Sequence, residues 1–396
     1  MRARVAFALA ALLAFGSYGA VAGANGGGHG NGDVRVMSRN LYLGADLGPA
    51  IASPDFPTFV KRAGDVYNTV QATNFPVRAQ ALAEEIQDKK IDLVGMQEVA
   101  WWRTQTPPDG PPSAGGTPAT TTAFDFLRSM LDELNKDAKT KKQCHKQSHD
   151  GHCYRGYRVV VSQDEFDFET IANTSGAVNP NPPLFGATMD VRLTMRDVIL
   201  ARKGAGVATK HAQGANFNTL LTVPTVAGPV TVKRGWVDAD ASVRGRKLHF
   251  VNTHLEAFDS QPPAFRGKIR EAQAKELVAP GGPATSESLP VVLVGDMNSN
   301  VPGVQPGDEL AFQALLDAGF STRSPSPPFS CCFQSERLDN PADFLDHTVD
   351  HVLSNSANVT RADSGVTGTT MFQGLWPSDH AGVFSFLDIR PGHGQH

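Results

Sequence analysis

The first structured signal along the chain is an alternation of apolar and polar residues. Val34-Arg35-Val36-Met37-Ser38 puts them on opposite sides of an extended backbone, as a β-strand requires. The stretch 78–89 then carries Ala79, Leu82, Ala83 and Ile86 at three- and four-residue steps, the apolar face of a helix. Residues 91–96, apolar but for Asp92, read as a buried strand, and 124–134 as a helix through Phe124, Leu127, Leu131 and Leu134. Strands are predicted over 157–161, 198–201, 230–237 and 247–252, a helix over 266–278, and a fully apolar strand over 291–294. A helix over 309–318 has Gly319 where a C-terminal cap belongs. Strands over 349–353 and 383–387 close the pattern. Strands joined partly by helices and partly by turns imply an α/β protein whose sheets are covered outside by helices. Two stretches break the regularity: 104–122, rich in Pro, Thr and Gly, and 175–183, rich in Pro and Asn, both read as surface loops. Neither an internal repeat nor a break between two domains is visible.

Before the first strand the composition changes. Arg2 and Arg4 precede a nearly unbroken apolar run from Val5 to Phe15, and Ala20-Val21-Ala22 supplies a small-x-small cleavage pattern. The run is short for a membrane span. The expected organisation is a cleaved signal over 1–22, a flexible Gly-rich spacer over 23–33, a catalytic domain over 34–390 and a tail over 391–396, in a secreted or periplasmic protein without a transmembrane segment. Four cysteines suit an exported chain. Cys144 and Cys153 bracket a short polar loop that a bridge would staple; Cys331 and Cys332 are adjacent, and the sequence leaves the connectivity open. A net charge of −4 advertises neither a nucleic-acid binder nor an anionic-membrane binder, although a local basic groove can sit on an acidic protein.

Five segments end predicted strands in residues able to hold a metal or a phosphate: Ser38-Arg39-Asn40, Gln97-Glu98, Asn252-Thr253-His254-Leu255, Gly295-Asp296-Met297-Asn298 and Ser378-Asp379-His380, with Asp350 as a sixth candidate. Singly, each is an ordinary strand end, turn or cap. Together they supply what phosphoester hydrolysis needs. Negative charge grows on the phosphate oxygens toward the transition state, and a hard divalent cation held by carboxylates neutralises it. A group must orient or deprotonate the attacking water, and amides or imidazoles donate hydrogen bonds to the phosphate. Glu98, Asp296 and Asp379 offer carboxylates, Asn40 and Asn298 amides, His254 and His380 imidazoles. An oxygen-rich set without cysteine favours Mg²⁺, Mn²⁺ or Ca²⁺ over zinc.

That set, in that order, resembles the endonuclease/exonuclease/phosphatase superfamily, which includes deoxyribonuclease I, abasic-site endonucleases, neutral sphingomyelinases and inositol-polyphosphate 5-phosphatases. The strongest matches are Val94-Gly95-Met96-Gln97-Glu98-Val99, Asn252-Thr253-His254-Leu255, Val294-Gly295-Asp296-Met297-Asn298 and Ser378-Asp379-His380. The resemblance spans about Val34 to Leu387 and implies a four-layer α/β/β/α sandwich of two packed mixed sheets with the active site at one edge. It implies metal contacts at Glu98, Asn40 and Asp379, and catalytic roles at His254, Asp296, Asn298, Asp350 and His380. Asn40, Asn298 and His254 would contact the phosphate, and Asp350 would orient His380. Two motifs depart from the pattern. Asp350 lies in Thr348-Val349-Asp350-His351 instead of following Arg-Ile, and Asp346 nearby competes for its role. Arg39, where an aromatic residue is common, precedes Asn40.

Several features bear on the substrate. Trp101 and Trp102 follow the Glu98 strand, where they would stack on a base, meet lipid or pack over the sheet edge. Arg192 and Arg196 flank a strand start and are candidates for a phosphate contact. His145, His149 and His152, and Lys203, Lys210 and His211, read as solvated loops. The expectation is a phosphodiesterase acting on lipid or small phosphodiesters, with no stable protein partner. An extracellular endonuclease acting on nucleic acid and a catalytically inactive binding module of the same fold are the alternatives; the second sits poorly with an intact set of polar residues.

Overall fold

The computed structural model describes residues 33–140, 153–258, 267–286, 288–303, 309–324 and 329–390. The expected leader over 1–22, the tail over 391–396, Cys144, His145, His149 and His152 lie outside them.

Short apolar runs of the right parity become the central strands of two mixed sheets. The eight-stranded sheet runs in the order Val359–Thr367, Gly382–Ile389, Val34–Asn40, Leu93–Gln97, Met189–Arg202, Trp101–Gln105, Thr121–Asp125, and Tyr157–Ala172 also pairs with Met189–Arg202. The second runs Ser321–Thr322, Asp350–Ser354, Val291–Asp296, Arg246–His254, Gly235–Val243, Val207–Asn216. Val34–Asn40 pairs with Leu93–Gln97 in parallel, as does Arg246–His254 with Val291–Asp296; the other pairings are antiparallel. A separate hairpin joins Leu221–Thr225 to Gly228–Val232.

Alternation along each strand decides the layers. Val34, Val36, Leu93, Phe250, Val292, Val294 and Val352 form the core between the sheets. Met37, Val94, Met96 and Leu200 point outward to the helices Phe56–Ala72, Phe75–Asp88 and Phe126–Asn135. On the opposite side Val251, Leu293 and Leu353 meet Lys268–Val278 and Leu310–Asp317 through Ala274, Leu277, Phe312 and Leu315. Each large side chain buried this way contributes roughly 1.5–3 kcal/mol. The result is the expected α/β/β/α sandwich, and among the described residues no helix is long and apolar enough to cross a membrane. The sheets approach closely at Gly95, where a Cβ would lie 2.5 Å from both Asn252 Oδ1 and Val294 Cγ2. Across that contact Gln97 Nε2 donates to Asn252 Oδ1 at 2.5 Å, and Asn252 Nδ2 donates to Met96 O at 3.1 Å.

The predicted elements recur with shifted ends, and some were missed. The helix expected over 78–89 starts at Phe75, and the one expected over 124–134 runs from Phe126 to Asn135, with Asp125 as its cap. The helix Phe56–Ala72 was not foreseen, although Phe59, Val60, Ala63, Val66, Tyr67 and Val70 keep helical spacing and Asp55 accepts from Thr58 N at 2.8 Å to cap it. The expected loop over 104–122 has strand at both ends. Residues 230–237, read as one strand, divide at Lys233-Arg234 between the hairpin and the second sheet.

Candidate active site

Parity gathers the site. Asn40 shares the inward face of Val34 and Val36, His254 that of Phe250, Asp296 that of Val292 and Val294, and Asp350 that of Val352. Register sets them side by side: His254 pairs with Asp296 and Asp296 with Asp350 across three adjacent strands, while Asn40 pairs with Gln97, the residue before Glu98. Glu98 then turns off its strand with φ of 54°. His380 and Asp379 arrive on the segment before Gly382–Ile389. Buried Arg78 clamps that segment to the loop after Asn40, donating to Leu41 O at 2.6 Å, Tyr42 O at 3.1 Å and Pro377 O at 3.0 Å. Arg39, also fully buried, donates to His380 O at 2.5 Å and pairs with Glu85 at 3.0 Å.

The contacts are polar and mutual. Asn40 Nδ2 donates to Asp296 Oδ2 at 3.0 Å and to Glu98 Oε1 at 3.3 Å. Glu98 Oε2 accepts from Leu43 N at 2.7 Å, and Asp296 Oδ1 from Asn298 N at 2.9 Å. Asn298 Nδ2 donates to Leu255 O at 3.0 Å. His380 Nδ1 sits 2.7 Å from Asp350 Oδ2, and its Nε2 lies 3.7 Å from Asp296 Oδ2, 3.9 Å from Asp379 Oδ1 and 3.5 Å from Cys331 Sγ. Asp350 is thus the partner of His380; Asp346 engages His347 instead. Ligand atoms of Asp296, Asp350 and His380 all lie within 4.8 Å of one another.

The two histidines are set to opposite charge states. Burial opposes protonation of His380, but the carboxylates of Asp350, Asp379 and Asp296 outweigh it and hold its pKa well above the usual histidine range. His254 is held well below that range by burial, by Arg234 and by His380. Its geometry agrees. Arg234 Nη1 lies 3.0 Å from His254 Nδ1, and a guanidinium only donates, so Nδ1 accepts and the proton sits on Nε2. That Nε2 is buried without a hydrogen-bond partner, Asp296 Oδ2 being 3.6 Å away.

The donors fit a hard divalent cation. Glu98, Asp379, Asn40 and Asp296 offer only oxygen ligands. Burial raises Asp379 to about 6, aided by Glu98 and Asp296 against the pull of His380, and burial and Asp350 raise Asp296. Buried carboxylates that stay raised by desolvation and by one another despite the nearby His380 can be stabilised as anions by a divalent ion. Asp379 keeps 21% of its side chain exposed, so this edge is reachable from solvent.

The two sheets thus bring Asn40, Glu98, His254, Asp296, Asp350, Asp379 and His380 together at one end of the sandwich, with Asn298 beside them through its backbone N–H and its side-chain amide turned to Leu255 O. Reading by motif missed the shell behind His254. Arg234 lies within 4.0 Å of Glu256, and Glu165 and Asp197 are buried beside it with no donor on either carboxylate. These residues come from four separate strand regions and form no local pattern, so only the sheet brings them together. The arginines singled out from sequence do other work: Arg192 pairs with Asp167, and Arg196 binds Asp125 at 2.6 Å and Val99 O at 3.0 Å. Trp102 is buried and donates to Leu43 O at 2.9 Å, and Trp101 stacks under Arg103, so the pair packs at the sheet edge.

A two-sheet sandwich with two histidines, clustered carboxylates and strand-end asparagines at one edge defines a phosphoester-hydrolase class of site. The sequence matches the Endonuclease/Exonuclease/phosphatase family over residues 68–380, and the chain belongs to that family. Its members are phosphoester hydrolases that generally use divalent metals. No curated protein matches the chain. Similar solved structures include a mannosyl-6-phosphatase of Bacteroides thetaiotaomicron (14% identity, 89% of this chain and 99% of that one, TM-score 0.45). An endonuclease/exonuclease/phosphatase of Bacteroides vulgatus (14%, 90% and 99%, 0.48) and D. rerio TDP2 complexed with a single strand DNA product (14%, 90% and 98%, 0.41) are also similar.

Proposed function

We propose that the protein is an exported, Mg²⁺-dependent phosphodiesterase acting on lipid or small phosphodiesters. The observation that carries the phosphodiesterase reading is the unpartnered Nε2–H of His254, buried and facing the same carboxylate as the His380 imidazolium. Two donors of fixed protonation flanking one acidic cluster suit a phosphate oxygen better than any group of the protein itself. Export is supported by the leader pattern around Arg2, Arg4 and Ala20-Val21-Ala22; the mature chain should begin near Gly23.

Glu98 and Asp379, with Asn40 and Asp296 beside them, would hold the cation, which when bound neutralises charge on the phosphate oxygens. Asp296, fixed by Asn40 and by the Asn298 amide, orients the attacking water and takes its proton. The water oxygen bonds to phosphorus as the bond to the leaving alkoxide breaks, and the proton that Asp296 took from the water passes by way of solvent to that leaving oxygen, giving an alcohol and a phosphomonoester and restoring the Asp296 carboxylate. His254 donates from Nε2 to one phosphate oxygen. His380, held by Asp350, presents Nε2–H and its charge to another.

The test is hydrolysis of bis-p-nitrophenyl phosphate with Mg²⁺ and with EDTA, in wild type and in Glu98→Gln, beside plasmid DNA, phosphatidylcholine or sphingomyelin vesicles and a soluble phosphomonoester. Metal-dependent diester cleavage and phosphocholine release, both lost in Glu98→Gln, are expected. Rapid nicking of DNA with lipid untouched would replace the proposal with a nuclease. No turnover on any ester would make the protein a binding module.

A further inference from the structure

A cavity of about 340 Å³ opens directly off the acidic cluster, its wall shared by Glu98, Asp379 and Arg234. Away from these three residues and the solvent-exposed carboxylate of Asp46 the wall is mostly apolar. Leu43, Leu47 and Ile51 line it from the loop and short helix after Asn40, and Phe59, Ala63 and Val66 from the next helix. Phe166, Phe168, Leu193 and Met195 contribute from the long strand pair, and Val223, Val230 and Val232 from the hairpin.

The polar side chains elsewhere in this wall are engaged, and Asp46, exposed to solvent, accepts from Gly48 N at 2.7 Å through Oδ1. Trp102 Nε1 donates to Leu43 O at 2.9 Å, Tyr42 OH to Glu336 O at 2.9 Å, Thr225 Oγ1 to Gly228 O at 2.7 Å and Thr170 Oγ1 to Ile171 O at 3.4 Å. A nucleobase or a sugar placed here would bury donors and acceptors without side-chain partners, which is costly. A hydrocarbon chain loses nothing and leaves water. The volume falls within the range of small-molecule pockets.

We infer that this cavity binds an alkyl or acyl chain carried by the substrate, so that the protein selects amphiphilic phosphodiesters whose phosphate reaches the Glu98–Asp379 edge while the chain enters between the hairpin and the helix Phe56–Ala72. The inference rests on the phosphodiesterase reading above and narrows it to one substrate class.

The experiment uses the full mature protein and a monomeric series, methyl, butyl, hexyl and octyl p-nitrophenyl phosphate, below their aggregation limits. kcat/KM should rise about fourfold per methylene until the cavity is full. Val223→Asp puts a charge in the wall and Val230→Trp fills the space; both residues are half-buried in the hairpin. Each substitution should flatten the series, and thermal melting reports whether either variant has unfolded. Calorimetry supplies a readout that needs no turnover: octyl phosphate should bind roughly 100-fold more tightly than inorganic phosphate, corresponding to a few buried methylenes. Equal kcat/KM along the series, together with equal affinity for the two phosphates, overturns the cavity assignment and leaves the phosphodiesterase reading standing. Failure to cleave even the methyl ester, with the octyl preference intact in calorimetry, does the reverse.

Discussion

At the scale of single residues, the chemistry is set by who donates to whom. Arg234 fixes the tautomer of His254, and Asp350 fixes the orientation and charge of His380. Asp350→Asn should lower kcat by about 10²-fold while KM changes little, because the imidazole loses its orientation and charge, not its place. Nitrogen NMR of the imidazoles should show His254 neutral with its proton on Nε2 through the usual histidine titration range; a protonated ring there would undo the assignment. Arg234→Met carries two expected costs. Buried Glu256 loses its cation, a loss of roughly 3–5 kcal/mol readable by urea denaturation, while Glu165 and Asp197, whose carboxyls burial pushes up, hold their protons. Turnover should fall as well, and an unchanged rate would show that His254 needs no fixed tautomer. Asp197 sets a pH dependence of stability. Burial pushes its carboxyl up to about 8 against the pull of Arg234. A raised folded-state pKa favours folding in the protonated form, so this contribution is complete below the unfolded value near 4 and is lost as pH climbs through about 8. Melting temperature should fall over that window in wild type and fall less in Asp197→Asn, which has no proton to lose.

At the scale of elements, the two sheets meet because position 95 carries no Cβ. Gly95→Ala should destabilise by about 1–3 kcal/mol in urea denaturation, since Asn252 and Val294 on the facing sheet must give way. The helices and central strands were legible in the sequence because burial on a single face or on both leaves a clear pattern: Val291–Asp296 is apolar up to its last two residues, and 78–89 shows a helical stripe. The long pair Tyr157–Ala172 and Met189–Arg202 was only partly visible, because polar and charged residues interrupt the alternation where they pair laterally, as Arg192 does with Asp167. The division at Lys233-Arg234 was hidden because valines continue on both sides of it. The motif residues of the site could be read because each sits at a strand end beside an apolar run. The shell behind His254 could not, since it exists only once distant strands lie side by side.

At the scale of the whole molecule, acidic groups converge at one edge of the sandwich and the apolar cavity opens beside them. An ion that binds only the folded chain stabilises it by mass action, about 2.7 kcal/mol at a hundredfold excess over its Kd. Mg²⁺ should therefore raise the melting temperature of wild type, EDTA should reverse the shift, and Glu98→Gln should abolish it. A melting temperature indifferent to Mg²⁺, Mn²⁺ and Ca²⁺ would remove the cation from this edge.

The step-for-step register of His254, Asp296 and Asp350 has a consequence for how such a chain can change length. Deleting one residue within Val291–Asp296 would swing Asp296 to the helix-facing side, where no compensating shift of a neighbour could recover it. Deleting two would restore its side but draw it about 6.6 Å down the strand, away from Asn40. Insertions and deletions are therefore confined to the connections between strands. Those connections line the substrate's approach, so specificity can diverge among descendants of this chain while the reacting edge stays in frame.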